Sequence, residues 1–420
     1  MEEVHESQGK GPLRALAYPQ FRLFWAISFA SIVSFFMAVI ARGWLVLDMS
    51  DSTFLVTAIN AVGMLPMLVF SLFGGAIADR INRRVVLVIS DFSSFLLMAI
   101  LSALIISQTI HMWHVFVLTL VHGTVFALGM PTRAATVSSL VRQKDVASGV
   151  ALFTTIFSSA QLVGPALAGY LINAYGMGVP FVACCVVLVP AIVLLRHLKI
   201  ETIRSDSASG EKISLMESIN EGFRYVRRSS LLLGLMLMGL STTIFAMPYQ
   251  TLLPVFARDI LEVGPSGLGW MGAMGGVGAI TGSITVATFS NINQMKTLMI
   301  VGGVGLGVGI VMFAICSNYL LSLVLLLSIG FLLQIFMTSN FTLVQIISPE
   351  YIRGRVLSIR MIALGMGPLG MFLLGAGSEA IGPVAATAFM AALAVLVMMA
   401  IVLAISAIRK PHIDAGQSDQ

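Results

Sequence analysis

Charge is scarce in this chain: 10% of its 420 residues are Asp, Glu, Lys or Arg and 58% are apolar, against about 25% charged residues in soluble domains. With a mean hydropathy of +0.97, that scarcity argues against a water-soluble fold. Cysteine is scarcer still. Cys184, Cys185 and Cys316 stand inside apolar runs without paired ligand spacing, so they read as packing groups, and no metal site is expected. The absence of a G-x-x-x-x-G-K-S/T loop argues against ATP-driven transport by this chain alone. His111-Met-Trp-His114 lacks the glutamate of the H-E-x-x-H zinc pattern, and no serine occupies a nucleophile elbow. An enzyme is therefore not expected, nor any cofactor.

Basic residues are missing from every second gap between the apolar runs. These runs cover about 21–47, 53–78, 85–107, 112–131, 148–174, 178–198, 230–257, 265–289, 296–316, 319–346, 354–380 and 383–408. Each has roughly the 20 residues that a helix needs to cross a hydrocarbon core. Of the 24 Lys and Arg residues, 22 lie in or at the edges of the other gaps, one, Arg258, in the basic-poor gaps, and Arg42 well inside the first run. By the positive-inside rule both termini are then cytoplasmic. The net charge of +5 reports this topology, and no nucleic-acid partner is expected. The polar first 20 residues show no cleavable leader, so the first run is expected to persist as a spanning helix. The expected fold is an all-α membrane protein of twelve transmembrane helices.

One long polar connection, 196–229, separates a six-helix half at 1–195 from a second at 230–420. Within it Ile213, Met216, Ile219, Phe223 and Val226 recur at helical spacing, predicting an amphipathic helix along the cytoplasmic membrane surface. A weak repeat supports the division: 141–152 matches 347–358 at an offset of 206, and Tyr175-Gly176 has a counterpart in Ile381-Gly382. Two related six-helix halves are a known transporter plan.

Between the second and third runs stands Gly75-Ala-Ile-Ala-Asp79-Arg80-Ile-Asn82-Arg83-Arg84. It resembles the signature loop of the major facilitator superfamily, with Asn82 at the second glycine, a position where Asn tolerates a left-handed turn. Pro19-Gln-Phe21-Arg22, Arg42-Gly-Trp44, Met130-Pro131-Thr-Arg133, Leu253-Pro254-Val-Phe256 and Arg353-Gly354-Arg355 further resemble the branch containing the enterobactin exporter and macrolide-efflux proteins. The resemblance implies a secondary exporter in the inner, or plasma, membrane, driven by an ion gradient, normally protons. It also implies a conformational latch of Gly75, Asp79, Arg80, Arg83, Arg84 and Arg133 that holds the cytoplasmic side closed. Gly164-Pro165-Ala-Leu-Ala-Gly169 resembles a shortened antiporter signature that bends the fifth helix, or else simply packs closely.

Polar groups inside the runs are few, and each needs a partner or water. Arg42 either snorkels outward toward Asp48 or lines a transport cavity. Asp91 is either a proton carrier or a partner of nearby arginines. His122, Gln250, Gln334 and Asn340 lie on the runs that line the cavity in the resembled fold, and are the candidates for substrate contact. Trp113 and Trp270 read as interfacial anchors. The expected cargo is a small amphipathic molecule of drug, macrolide or siderophore type, with the lipid bilayer as surroundings and no obligatory protein partner. Uptake by symport is the alternative. A membrane sensor is a third reading, against which the short head and tail argue because neither holds a signalling domain.

Overall fold

The computed structural model describes residues 14–78, 82–198, 215–289, 291–405 and 408, with backbone alone at 69–78 and 215–219. Every regular element among them is helical. In the first half these are α1 (Pro19–Ser50), α2 (Thr53–Ala78), α3 (Arg83–Ile106), α4 (Met112–Leu140), α5 (Val146–Tyr175) and α6 (Val179–Leu195). The connection contributes α7 (Leu215–Arg228). The second half begins with α8 (Ser230–Ser241) and a short α9 (Leu253–Val255), followed by α10 (Gly264–Ala287), α11 (Ile292–Ala314) and α12 (Tyr319–Ile347). It ends with α13 (Glu350–Gly365), α14 (Gly367–Ile381) and α15 (Pro383–Ala404). Among the described residues, nine helical segments are long and apolar enough to cross a membrane, with shorter apolar helices at Thr53–Leu68 and Val179–Leu195. The eight glycines of α10 lower its hydropathy, which keeps it out of that set.

Proline explains where the helices depart from the expected runs. Pro248 and Pro254 each remove an N–H from the ladder, and the segment after α8 passes through a π turn at Thr242–Ala246, 3-10 turns at Met247–Leu252, α9, and a second π turn at Phe256–Ile260. Gly370 of α14 lies directly against the Ile244 carbonyl and the Pro248 ring. The run expected to be continuous over 354–380 breaks at Met366, because Pro368 opens α14 and has no N–H to give the preceding turn. Pro165, by contrast, sits inside α5 without interrupting it.

Within the first half α1 packs on α5 and α6, α2 on α4, and α3 on α4 and α6; in the second, α12 packs on α10 and α11, and α15 on α11 and α14. The halves meet where α5 lies along α10 and α2 along α13 and α14. The repeat seen in sequence reappears as backbone geometry. Gly176 and Gly382 close α5 and α14 with φ of 93° and 85°, values that favour glycine, and their N–H groups donate to Ile172 and Ser378 carbonyls.

The helix expected in the connection is α7, and it also packs on the second half. α7 packs on α13 and α8: Glu221 pairs with Arg355 at 2.5 Å, Tyr225 meets Tyr351 edge-on, and Gly222 lies over Arg355. Val226 is buried, whereas Phe223 is exposed, so the apolar stripe is divided between protein and surroundings.

Candidate functional site

Four helices of the first half enclose a polar cluster. α3 and α4 run side by side, and Gly129 lets them approach: a Cβ there would lie 2.6 Å from Ser90 Oγ. Ser90 donates to the Val125 carbonyl at 3.3 Å, which sets the register. In that register Asp91 of α3 meets Arg133 of α4 in a buried ion pair. The remaining reach of Arg133 goes to Ser28 of α1, Nη1 donating to Oγ at 3.3 Å. A cation at this depth requires a carboxylate or water, which explains why Arg133 turns inward instead of toward the loop where it is expected as a latch residue. Asp91 takes the role of arginine partner.

Toward the other end of the same half, Arg42 of α1 is buried. Its Nε donates to the Ala38 carbonyl at 3.1 Å and its Nη1 to Thr119 Oγ1 at 3.4 Å, so it neither snorkels outward nor pairs with Asp48. His122 lies between these two arginines along α4. Its ring is 5.6 Å from Phe35, which stacks on Phe126 at 3.7 Å. A cavity of about 20 Å³ is lined by Asp91, His122, Arg133, Ser31, Phe35 and Phe126, among others.

The second half has a smaller counterpart. Asn340 of α12 donates through Nδ2 to the Leu235 carbonyl at 2.9 Å and accepts from Arg360 Nε at 3.3 Å. Arg360 also lies 4.8 Å above the Phe341 ring. Arg360 is not among the residues expected from sequence; its sign was a basic residue ten positions inside a helix. Gln334 donates to Thr338 at 3.0 Å, and Gln250 stands half-buried in the 3-10 stretch. His122 and Asn340 thus face the interiors of their own halves.

Of the other expected latch residues, Gly75 lies in α2, while Asp79 and Arg80 fall outside the described residues. Arg83 Nη1 donates to the Ala135 carbonyl at 3.0 Å, and Arg84 donates to the Leu195 and Arg196 carbonyls at 3.1 and 2.6 Å. Both guanidiniums tie the start of α3 to its own half. Gly164, Pro165 and Gly169 lie at close contacts. Gly164 faces Phe36 of α1, Gly169 faces Gly269 of α10, and Pro165 faces Gly272.

The described hydrogen bonds between the halves all occur at the end carrying the α1–α2 turn. Arg258 pairs with Asp51 at 2.8 Å and donates to the Leu47 carbonyl at 3.0 Å. Glu379 accepts from Ser52 Oγ at 2.6 Å and from the Phe54 N–H at 3.1 Å. It is exposed, yet it is a joint between halves.

Two related bundles of apolar helices, touching through glycine-lined faces and joined by polar contacts at one end, form the architecture of a multi-pass membrane transporter. The fold matches the crystal structure of the nucleoside transporter NupG, with a TM-score of 0.73 at 14% identity, covering 94% of this chain and 100% of that one. The chain belongs to the major facilitator family described as transmembrane secretion effector, which matches residues 10–420. Its relatives include the multidrug efflux pump Tap of Mycolicibacterium fortuitum, 28% identical over 82% of this chain and 86% of that protein. Another is the enterobactin exporter EntS of Shigella boydii serotype 4 (strain Sb227), 24% identical over 88% of this chain and 87% of that protein. These are efflux and export transporters of the branch that the sequence motifs resemble.

Proposed function

We propose that this protein exports small amphipathic molecules of drug, macrolide or siderophore type across the inner membrane by alternating access, in exchange for protons. The family match along almost the whole chain, with efflux and export proteins among its relatives, carries this reading. In it the chain spans the bilayer twelve times with both termini cytoplasmic, as the distribution of basic residues favours. The α1–α2 end is then external, and the contacts of Arg258 and Glu379 close it. Cargo enters from the cytoplasm between the halves. Rocking about the α5–α10 and α2–α14 contacts breaks the external joints, and the Gly75–Arg84 loop closes the cytoplasmic side. Arg42, Gln250 and Gln334 are the proposed cargo-facing polar groups, and the proton gradient is the energy source.

The test is accumulation of fluorescent lipophilic dyes and labelled macrolides in cells expressing wild type or Asp79→Asn, with and without a protonophore. Export predicts lower accumulation with wild type, abolished by the protonophore and by the substitution. Higher accumulation with wild type points instead to uptake by symport. Wild-type behaviour of a membrane-inserted Asp79→Asn removes the latch.

A further inference from the structure

Asp91 stands eight residues inside α3, whereas the other described carboxylates of the two bundles lie in loops or within three residues of a helix end. One of its oxygens, Oδ1, is committed to Arg133, while Oδ2 is buried without a hydrogen-bond partner. Nδ1 of His122 is in the same condition. Asp91 and His122 are 2% and 3% exposed, and both line the cavity of about 20 Å³ between α1, α3, α4 and α6. A water needs roughly 10–15 Å³ of such space and two to four polar partners. The cavity has that room, and its wall supplies the partners. Asp91 and His122 share the wall of this cavity, so a water within it neighbours both.

The second half carries different groups at the related place. Displaced by the repeat interval of 206 residues, Ser28, Asp91 and Arg133 fall within two residues of Leu235, Met299 and Asn340. Those three also meet, with Asn340 donating to the Leu235 carbonyl and lying 3.7 Å from Met299 Sδ. The Met299 thioether stands two residues from the place of the first half's carboxylate.

We propose that this cavity is the proton-binding site of the exchange: a water-linked Asp91–His122 pair inside the first half, with Arg133 as the counter-ion that proton binding releases. The proposal rests on the export reading above. A proton passed from the cavity water to Asp91 Oδ2 converts the carboxylate to a neutral acid. Arg133 then keeps its charge but loses its counter-charge, which loosens α4 from α3 and α1. Release of the proton to water restores the pair. The titratable and charged groups facing the site are Arg133 and His122 from α4, Arg42 from α1, and Cys184 and Cys185 from α6. Arginine stays protonated throughout, and the thiols donate to the Ser34 and Phe95 carbonyls. Asp91 and His122 are left to answer pH.

The experiment places spin labels at Ser138→Cys on α4 and Thr288→Cys after α10, with the three native cysteines replaced by serine. Pulsed electron paramagnetic resonance then measures the separation of the halves in lipid nanodiscs without cargo. The wild-type background is expected to shift its distance distribution as the pH is lowered. Asp91→Asn is expected to hold one distribution at every pH, Asp91→Glu to restore the shift, and His122→Gln to move the midpoint. A full pH response in Asp91→Asn, or none in the background chain, overturns the proposal. If Asp91→Asn fails to fold, His122→Gln decides, since it leaves the ion pair in place; an unmoved midpoint overturns the linked pair. Ethidium accumulation in cells is read in parallel. A pH-responsive chain that alters accumulation of neither ethidium nor the other dyes overturns export of dye-like cargo while leaving the proton site standing.

Discussion

Arg133 and Asp91 show how burial converts a residue's neighbourhood into its role. Both charges are taken out of water, so removing one strands the other, at a cost of about 3–5 kcal/mol. Arg133→Met is accordingly expected to lower the melting temperature of the purified protein markedly. The double variant Asp91→Asn with Arg133→Gln is expected to recover a large part of that loss, because it leaves no unpaired charge. Thermal unfolding of the singles and the double in one detergent checks this, and equal losses in all three would show the pair to be unimportant to stability. Sequence offered Asp91 as a partner of nearby arginines without saying which, and placed Arg133 in the latch. Which side of α4 faces α3 depends on helix rotation, and a nearly uniformly apolar helix carries little periodicity from which to read it. Arg42 escaped for the same reason: its partners are a carbonyl one turn back and a threonine on α4.

Helix ends were more legible than helix faces. The second run, 53–78, coincides with α2, and the tenth, 319–346, ends one residue short of α12, since Asn, Ser and Pro punctuate the apolar stretches. The division of the eleventh run into α13 and α14 was missed although Pro368 was visible, because proline also sits within unbroken helices here, as Pro165 does. The glycines of α10 serve two neighbours at once. Gly269, Gly272 and Gly276 face α5, while Gly278 and Gly282 face α12. A Cβ at Gly169 would come within 2.8 Å of Gly269 backbone, whereas one at Gly275 meets nothing within 4 Å. Gly169→Leu is therefore expected to abolish export and reduce the yield of folded protein, while Gly275→Ala keeps wild-type levels of both. Dye efflux and membrane expression measured side by side separate the two outcomes, and a tolerated Gly169→Leu would mean that the α5–α10 contact is not tight during the cycle.

At the scale of the whole molecule, the polar joints between the halves are open to solvent. Asp51 is 82% exposed in its pair with Arg258, and such a pair is worth about 0–1 kcal/mol. Removing the whole clamp with Arg258→Gln and Glu379→Gln is expected to bias the halves toward opening at that end by roughly five-fold, the factor that about 1 kcal/mol supplies. A cysteine at Thr57, buried against Gly375, reports this through its labelling rate with a membrane-impermeant maleimide. An unchanged rate would leave closure to the apolar contacts. None of these joints was predicted, for Arg258 and Glu379 are 121 positions apart and their partners lie in the other half.

The two ion pairs also differ in how they meet the surrounding electrolyte. Dissolved ions screen exposed charges over a Debye length of about 8 Å at physiological ionic strength and reach enclosed charges far less. Arg258 with Asp51 is open to that screening, and Arg133 with Asp91, at 4% and 3% side-chain exposure, is shielded from it. Under the proposed orientation, ionic strength outside the cell therefore acts on the joint of Arg258 with Asp51 far more than on the buried pair, so salinity would reset how readily that end opens while leaving the proposed proton site unchanged.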